Sequence, residues 1–203
     1  MIPAVILAAG KSARMGRSKA LLPLGAADTF LTRIIRTFQQ ADVDDVVVVL
    51  GHEAEAIRES VTNRGLTPRL VFNPDYPRGQ LSSIQAGLAA VDRPGVTAML
   101  LTLVDVPLVS AATVRAVLEH YRTIHAPIVR PTRGSTHGHP VLIDRKLFTA
   151  LRTADAEQGA KPVIRAHASA AGDLPIADDG AFLDIDTPEE YARLVEQADL
   201  FRS

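Results

Sequence analysis

The chain contains no cysteine, and only 4% of its 203 residues are aromatic. Without thiols it has neither disulfides nor thiolate metal ligands. An excess of one charge sign is missing too. The 22 lysines and arginines stand against 23 acidic residues, so no global field favours nucleic acid or an anionic membrane, and an anion site has to be built locally. No apolar run approaches membrane-spanning length; the best, Ala98 to Val104, carries a threonine. The start Met1-Ile2-Pro3 lacks a basic-then-apolar leader, which points to a cytoplasmic protein. Repeats, linkers and low-complexity segments are absent as well, and the length suits one domain over 1–203.

What is present is concentrated near the start. Val5-Ile6-Leu7 reads as a short strand covered on both faces, because large aliphatic residues follow one another without polar alternation. From Ala8 to Gly16 most side chains are small, so main-chain N–H groups can approach an anion closely. Arg14 adds a planar fork of donors and Lys19 a compact point charge. Together these make a phosphate grip at a strand's carboxyl end. Two common glycine loops fail on spacing. A Walker loop needs a glycine where Val5 stands, and a Rossmann fingerprint needs one between Gly10 and Gly16.

Strand-like and helix-like segments alternate through the first half, which argues for parallel βαβ units with helices on both faces. Asp28 or Thr29 can cap a helix whose Leu31, Ile34, Ile35 and Phe38 share a face. Strands are expected at Val46–Leu50, Leu70–Phe72 and Ala98–Val104, with a helix from Glu53 to about Asn63 between the first two. Ser82-Ser83-Ile84-Gln85 has capping-box spacing and predicts a helix start. A further helix is expected near Ala111 to Arg122, then strands at Ile128–Arg130 and Pro140–Ile143 around the loop Thr132 to His139, and a short helix after Asp144. Ala154 to Gly159 and Ala168 to Gly180 read as mobile loops. Phe182-Leu183-Asp184-Ile185-Asp186 alternates like a strand, and Thr187-Pro188-Glu189-Glu190 opens a terminal helix.

Open parallel sheets bind ligands beyond the carboxyl ends of their strands, where both Gly10–Lys19 and Asp105 fall. A carboxylate there, backed by Pro107, suits a Mg²⁺ that keeps waters and bridges substrate phosphates. On one strand Asp184 and Asp186 would share a face, and either could complete the metal site or serve as a helix cap or ion-pair partner. His137 and His139 lack the third ligand a zinc site needs.

Leu7-Ala8-Ala9-Gly10-x-Ser12-x-Arg14-Met15-Gly16-x-x-Lys19 resembles the signature loop of the MobA-like nucleotidyltransferases, in particular their molybdenum cofactor cytidylyltransferase branch. Later blocks resemble the family in order: Asn73 to Leu88, Asp105-x-Pro107, Gly138-His139-Pro140, Gly159-Ala160-Lys161 and Asp184 to Pro188. The resemblance implies an α/β, Rossmann-like fold of the glycosyltransferase-A type, with a mostly parallel sheet flanked by helices. Its nucleotide-binding half would span about 1–107 and its acceptor half about 108–203. It also implies transfer of a nucleotide monophosphate from NTP with release of pyrophosphate. For the nearest branch the donor is CTP and the acceptor the terminal phosphate of molybdopterin, with a molybdenum enzyme as client. Guanylyl-transferring relatives tend to have Gly where this chain has Ala9, which favours cytidine.

By this resemblance the nucleotide meets Leu7, Ala8, Ala9, Gly10, Ser12, Arg14, Lys19, Gly79, Ser82 and Ser83, and His139 faces the acceptor. Arg14 would hold the β- and γ-phosphates, Lys19 the α-phosphate, and Asp105 with Asp186 or Asp184 the Mg²⁺. An acceptor phosphate is already anionic at neutral pH, so in-line attack requires no general base or covalent intermediate. Other NTPs, sugar or alcohol phosphates as acceptors, and a non-catalytic cofactor carrier remain open alternatives.

Overall fold

The computed structural model describes residues 1–200, with side chains to Glu196; the last three positions of the expected 1–203 domain lie outside the described residues. In chain order the strands and helices are β1 (Ala4–Ala8), β2 (Pro23–Leu24), β3 (Asp28–Thr29), α1 (Phe30–Gln40), β4 (Val46–Leu50), α2 (Ala54–Thr62), β5 (Arg69–Phe72), α3 (Gln80–Val91) and β6 (Ala98–Leu103). They continue with α4 (Ala111–Ile124), β7 (Ile128–Arg133), β8 (Thr136–His137), β9 (Val141–Asp144), α5 (Phe148–Arg152), α6 (Lys161–His167), β10 (Asp173–Pro175) and α7 (Pro188–Leu200).

The main sheet runs β10-β7-β9-β6-β1-β4-β5, with β8 paired to β7 and a separate β2–β3 ribbon. Strands β6, β1, β4 and β5 are mutually parallel, whereas β9 runs antiparallel to both β6 and β7. The chain moves outward from β1 through β4 to β5, then returns to the other side of β1 as β6. That reversal opens a crevice at the carboxyl ends of β1 and β6.

Period-two alternation divides the strand residues between two cores. Ala4, Ile6 and Ala8 with Val48 and Leu50 pack against α1, α2 and α4 on one face. Val5, Leu7, Val47 and Val49 pack against α3 and α5 on the other. On that second face the helix lies very close to the sheet. A Cβ at Gly87 of α3 would stand 2.5 Å from Val5 Cγ1 and 3.1 Å from Val49 Cγ2.

Several expectations are resolved or corrected here. Thr29, rather than Asp28, caps α1: its Oγ1 accepts from the Thr32 backbone N–H at 3.3 Å, and Thr32 Oγ1 accepts from that of Thr29 at 2.7 Å. Asp28 instead takes the Arg36 guanidinium at 3.0 Å. Helix α3 begins at Gln80, ahead of the Ser82–Gln85 box, because Gly79 (φ 106°) is its N-cap and makes no side-chain cap. Residues 183–186 form no strand, so the expectation that Asp184 and Asp186 share a strand face does not hold; no neighbouring strand pairs with them. Residues 168–180, expected to be a loop, contain β10, which pairs in parallel with β7. The loop Thr132 to His139 is a hairpin, with Thr132 and Arg133 paired to His137 and Thr136.

Candidate functional site

The loop after β1 is anchored at its ends and along its length. The Ala9 carbonyl accepts from the His52 N–H at 3.1 Å, tying the loop to the end of β4. A Cβ at Gly51 would lie 2.7 Å from that same carbonyl oxygen and 2.6 Å from Tyr76 Cγ, so only glycine fits between the two loops. Ser12 adopts a left-handed conformation (φ 50°), and its Oγ accepts from the Lys19 backbone N–H at 3.1 Å. In this arrangement the hydroxyl closes the loop. Met15 is buried with Leu22, Phe30, Ile185 and Leu194, and the Arg17 guanidinium lies over the Tyr191 ring at 5.4 Å. The far side of the loop therefore rests on α7.

Lys19 crosses the crevice to the carboxylates. Its Nζ lies 3.2 Å from Asp105 Oδ2 and also donates to Asp186 Oδ1, and the side chain is 9% exposed. Arg14, at the open rim, donates to the other oxygen of Asp186 at 2.8 Å. Hydrogen bonds from Lys19, reinforced by Lys19 charge and by Arg14, hold the Asp186 carboxyl below its usual pKa despite some desolvation. Asp184 shifts the opposite way, raised first by removal from water and then by the negative charge of Asp105. The two carboxylates thus have different jobs: Asp186 partners the cations, and Asp184 stands in the field of Asp105 and His139.

His139 follows the hairpin and enters a cis peptide with Pro140. Its Nδ1 lies 3.5 Å from the Leu101 carbonyl oxygen of β6, and burial lowers its pKa although Asp184 and Asp105 oppose that shift. The structure therefore brings His139 to the carboxylates.

A cleft of about 270 Å³ lies beside these charges. Its walls include Leu7, Ala8, Ala9, Gly10, Ser12, Lys19, Gly79, Ser83 and Asp105, so most of the expected nucleotide-binding residues meet there. Ser82 does not. Its Oγ lies 2.8 Å from both the Asp75 and Gly79 carbonyl oxygens and accepts from Asn73 Nδ2 at 3.0 Å, locking the turn before α3. Ser83 also accepts from Asn73, at 3.1 Å, but stays on the cleft side. Tyr76 and Gln80 line the cleft without having been singled out from sequence. The signal for Gln80 was Gly79, which sets the helix start and so places Gln80 in the exposed first turn.

Asp105 Oδ1 is buried with no hydrogen-bond partner, a condition that invites a cation. Hard carboxylate oxygens suit a divalent cation such as Mg²⁺. Among the described residues, however, no group of three or more His, Cys, Asp or Glu side chains could hold a metal by itself. A cation here would need substrate phosphates or waters as further ligands, which is how Mg²⁺ is commonly held.

A larger hollow, about 1030 Å³, opens at the opposite end of the sheet, near the amino ends of β1, β4 and β6, lined by Asp45, Arg69, Arg93, Tyr121 and others. Three of its charges are paired with one another. Asp45 takes Arg69 at 2.9 Å and Arg93 at 2.8 Å, and Tyr121 donates to Asp144 at 2.8 Å, which together with burial raises the phenol to about 12. Among the described residues no helix is long and apolar enough to cross a membrane.

Comparison with known proteins agrees with this geometry. The chain is 32% identical to the nicotine blue oxidoreductase of Paenarthrobacter nicotinovorans, over 96% of each sequence. It is 26% identical to the molybdenum cofactor cytidylyltransferase of Escherichia coli K12, over 97% of this chain and 96% of that one. Among solved structures, Rv0371c of Mycobacterium tuberculosis H37Rv superposes with a TM-score of 0.81 at 29% identity, covering 96% of this chain and 97% of that one. Its complex with manganese superposes with a TM-score of 0.76 over the same shares of the two chains. Residues 4–171 match the MobA-like NTP transferase domain, and the chain belongs to that family.

Proposed function

We propose that this protein transfers CMP from CTP to the terminal phosphate of molybdopterin, with Mg²⁺ as the metal. The observation that carries the reading is the convergence of Lys19, Arg14, Asp105 and Asp186 at the crevice between β1 and β6, beside a cleft walled by the small residues Ala8 to Gly10. In the reaction an acceptor phosphate oxygen attacks the α-phosphorus, and the bond from that phosphorus to the bridging oxygen breaks. Pyrophosphate leaves with the electron pair.

Each residue has a role in that step. The backbone from Ala8 to Gly10 approaches the nucleotide without side-chain obstruction, and Gly79, Gln80 and Ser83 at the start of α3 form the facing wall. Lys19 stabilises charge that develops around the α-phosphate, and Arg14 receives the β- and γ-phosphates. Asp105, with Asp186 or Asp184, would hold the Mg²⁺, which when bound neutralises phosphate charge. That Rv0371c forms a complex with manganese supports a divalent cation. His139 lies beyond the carboxylates, toward the acceptor. Ala9 and the identity to the Escherichia coli cytidylyltransferase support cytidine.

The test is incubation with each NTP, Mg²⁺ and purified molybdopterin, following pyrophosphate. Release with CTP alone is expected, and release with another NTP reassigns the donor. No release with any NTP overturns transfer. Identity to nicotine blue oxidoreductase supports a second reading, reduction of a coloured heterocycle. Absorbance loss of such a dye with a reduced nicotinamide cofactor, and no pyrophosphate, would select it.

A further inference from the structure

The charges beside the cleft are arranged around a single cationic position. Lys19 Nζ stands between Asp105 and Asp186, hydrogen-bonded to both and largely shielded from water. Arg14 occupies the remaining oxygen of Asp186, and Asp105 Oδ1 is buried without a partner. The two positive charges balance those of Asp105 and Asp186, and Asp184 stands beside them as a third carboxylate. A divalent cation approaching the nucleotide-free protein therefore meets a weakened attraction and, above all, an ammonium lodged on two of its ligands. A triphosphate alters the balance, because its oxygens compete for Lys19 and Arg14.

We propose that Lys19 is a placeholder cation. In the nucleotide-free protein its ammonium fills the divalent-cation position between Asp105 and Asp186, and a bound nucleotide opens that position by drawing Lys19 onto its phosphates. The nucleotide half of this inference rests on the transfer reading; the placeholder half does not. The moving part is small. The Lys19 backbone N–H is fixed by Ser12 Oγ at 3.1 Å, so rotation of the flexible four-carbon stem suffices and the loop can stay in place. Two consequences follow. The protein alone takes up metal weakly, with the carboxylates kept together by Lys19. Nucleotide and metal then strengthen one another reciprocally through the site.

The test measures Mn²⁺ binding to the full chain from the electron paramagnetic resonance of free Mn²⁺, without nucleotide. Wild type, Lys19→Met and the double variant Lys19→Met/Asp186→Asn are compared. Lys19→Met is expected to bind Mn²⁺ at least about tenfold more tightly than wild type, within the range of ordinary site coupling. The double variant should lose that gain. Adding the non-hydrolysable α,β-methylene analogue of CTP should tighten Mn²⁺ binding more in wild type than in Lys19→Met. If Lys19→Met does not fold, Lys19→Gln, which keeps a donor without the charge, carries the same expectation. Equal or weaker Mn²⁺ binding by a folded Lys19 variant overturns the placeholder. Failure of pyrophosphate release with every NTP, alongside a tenfold gain in Mn²⁺ affinity, would reject transfer and leave the placeholder standing.

Discussion

The two ends of the central sheet both carry carboxylates paired with cations, yet they are built on opposite terms. At the larger hollow, Asp45 is gripped by two arginines, and Tyr121 completes a hydrogen bond to Asp144. At the smaller cleft, Asp105 keeps an unpartnered buried oxygen, Asp184 has its pKa pushed up, and Lys19 is shared between two carboxylates. Size alone would favour the first hollow. Unmet demand favours the second, because buried charge without full compensation lowers stability and persists where binding uses it.

Substitutions can break this contrast. The largest effect is expected at the cleft: Asp105→Ala should lower pyrophosphate release by about a thousandfold or more, the scale of losing a principal electrostatic group. Its melting temperature should change little, since removal of an orphaned buried oxygen offsets loss of the Lys19 ion pair. Near-normal turnover in that variant, at any Mg²⁺ concentration, would end the assignment of Asp105 to the metal.

Next is the packing between the two ends. Gly87→Ala places a methyl 2.5 Å from Val5 Cγ1, and overpacking of this kind typically costs about 1–3 kcal/mol. Because α3 carries Gly79 and Gln80 at its start, the shift should also weaken nucleotide binding, read by urea unfolding and nucleotide titration. Unchanged values for both would show that α3 can move freely.

Asp45→Ala should have the reverse profile to Asp105→Ala. Its arginines are 44% and 39% exposed, so solvent screening limits the loss to about 1 kcal/mol, with turnover unchanged. A fall in kcat would mean that the far end communicates with the cleft.

The smallest effect is in acid. The folded protein holds Asp186 below its usual value of 3.8, so the unfolded chain takes up that proton first. Its stabilising contribution is complete above 3.8 and disappears as pH falls through the lower folded value. Asp186→Asn should therefore be less stable than wild type at neutral pH, with the gap in urea midpoint closing below 3.8. A gap independent of pH would remove the ion pair as its cause. Asp184→Asn should instead be the more stable protein at neutral pH, because the raised carboxyl there is charged at a cost.

Legibility in the sequence followed the kind of force at work. The strands at Val5–Leu7, within β1, and at Val46–Leu50, and the face of α1, are readable because unbroken burial and helical spacing leave marks in the sequence. Lys19 and Asp105 were readable because each follows such a strand. Asp184 and Asp186 misled, since acidic–apolar alternation needs a neighbouring strand before it becomes a sheet, and residues 183–186 have none. Ser82 lies off the cleft because Asn73, nine residues away, and the Asp75 and Gly79 carbonyls engage its hydroxyl, whereas Ser83 stays on the cleft wall. The three-residue strand β10 depends on β7 beside it, a partner that local sequence does not reveal.

Gly51 fixes how this scaffold can change. With no space for a methyl between Tyr76 and the Ala9 carbonyl, the turns after β1, β4 and β5 interlock like the stones of an arch. An insertion in one would displace the other two, so added length is better tolerated outside the arch, as at the hairpin tip around Gly134 and the turn at 154–159. A change in what the protein binds is therefore more readily accommodated by remodelling those segments than by rebuilding the loop after β1.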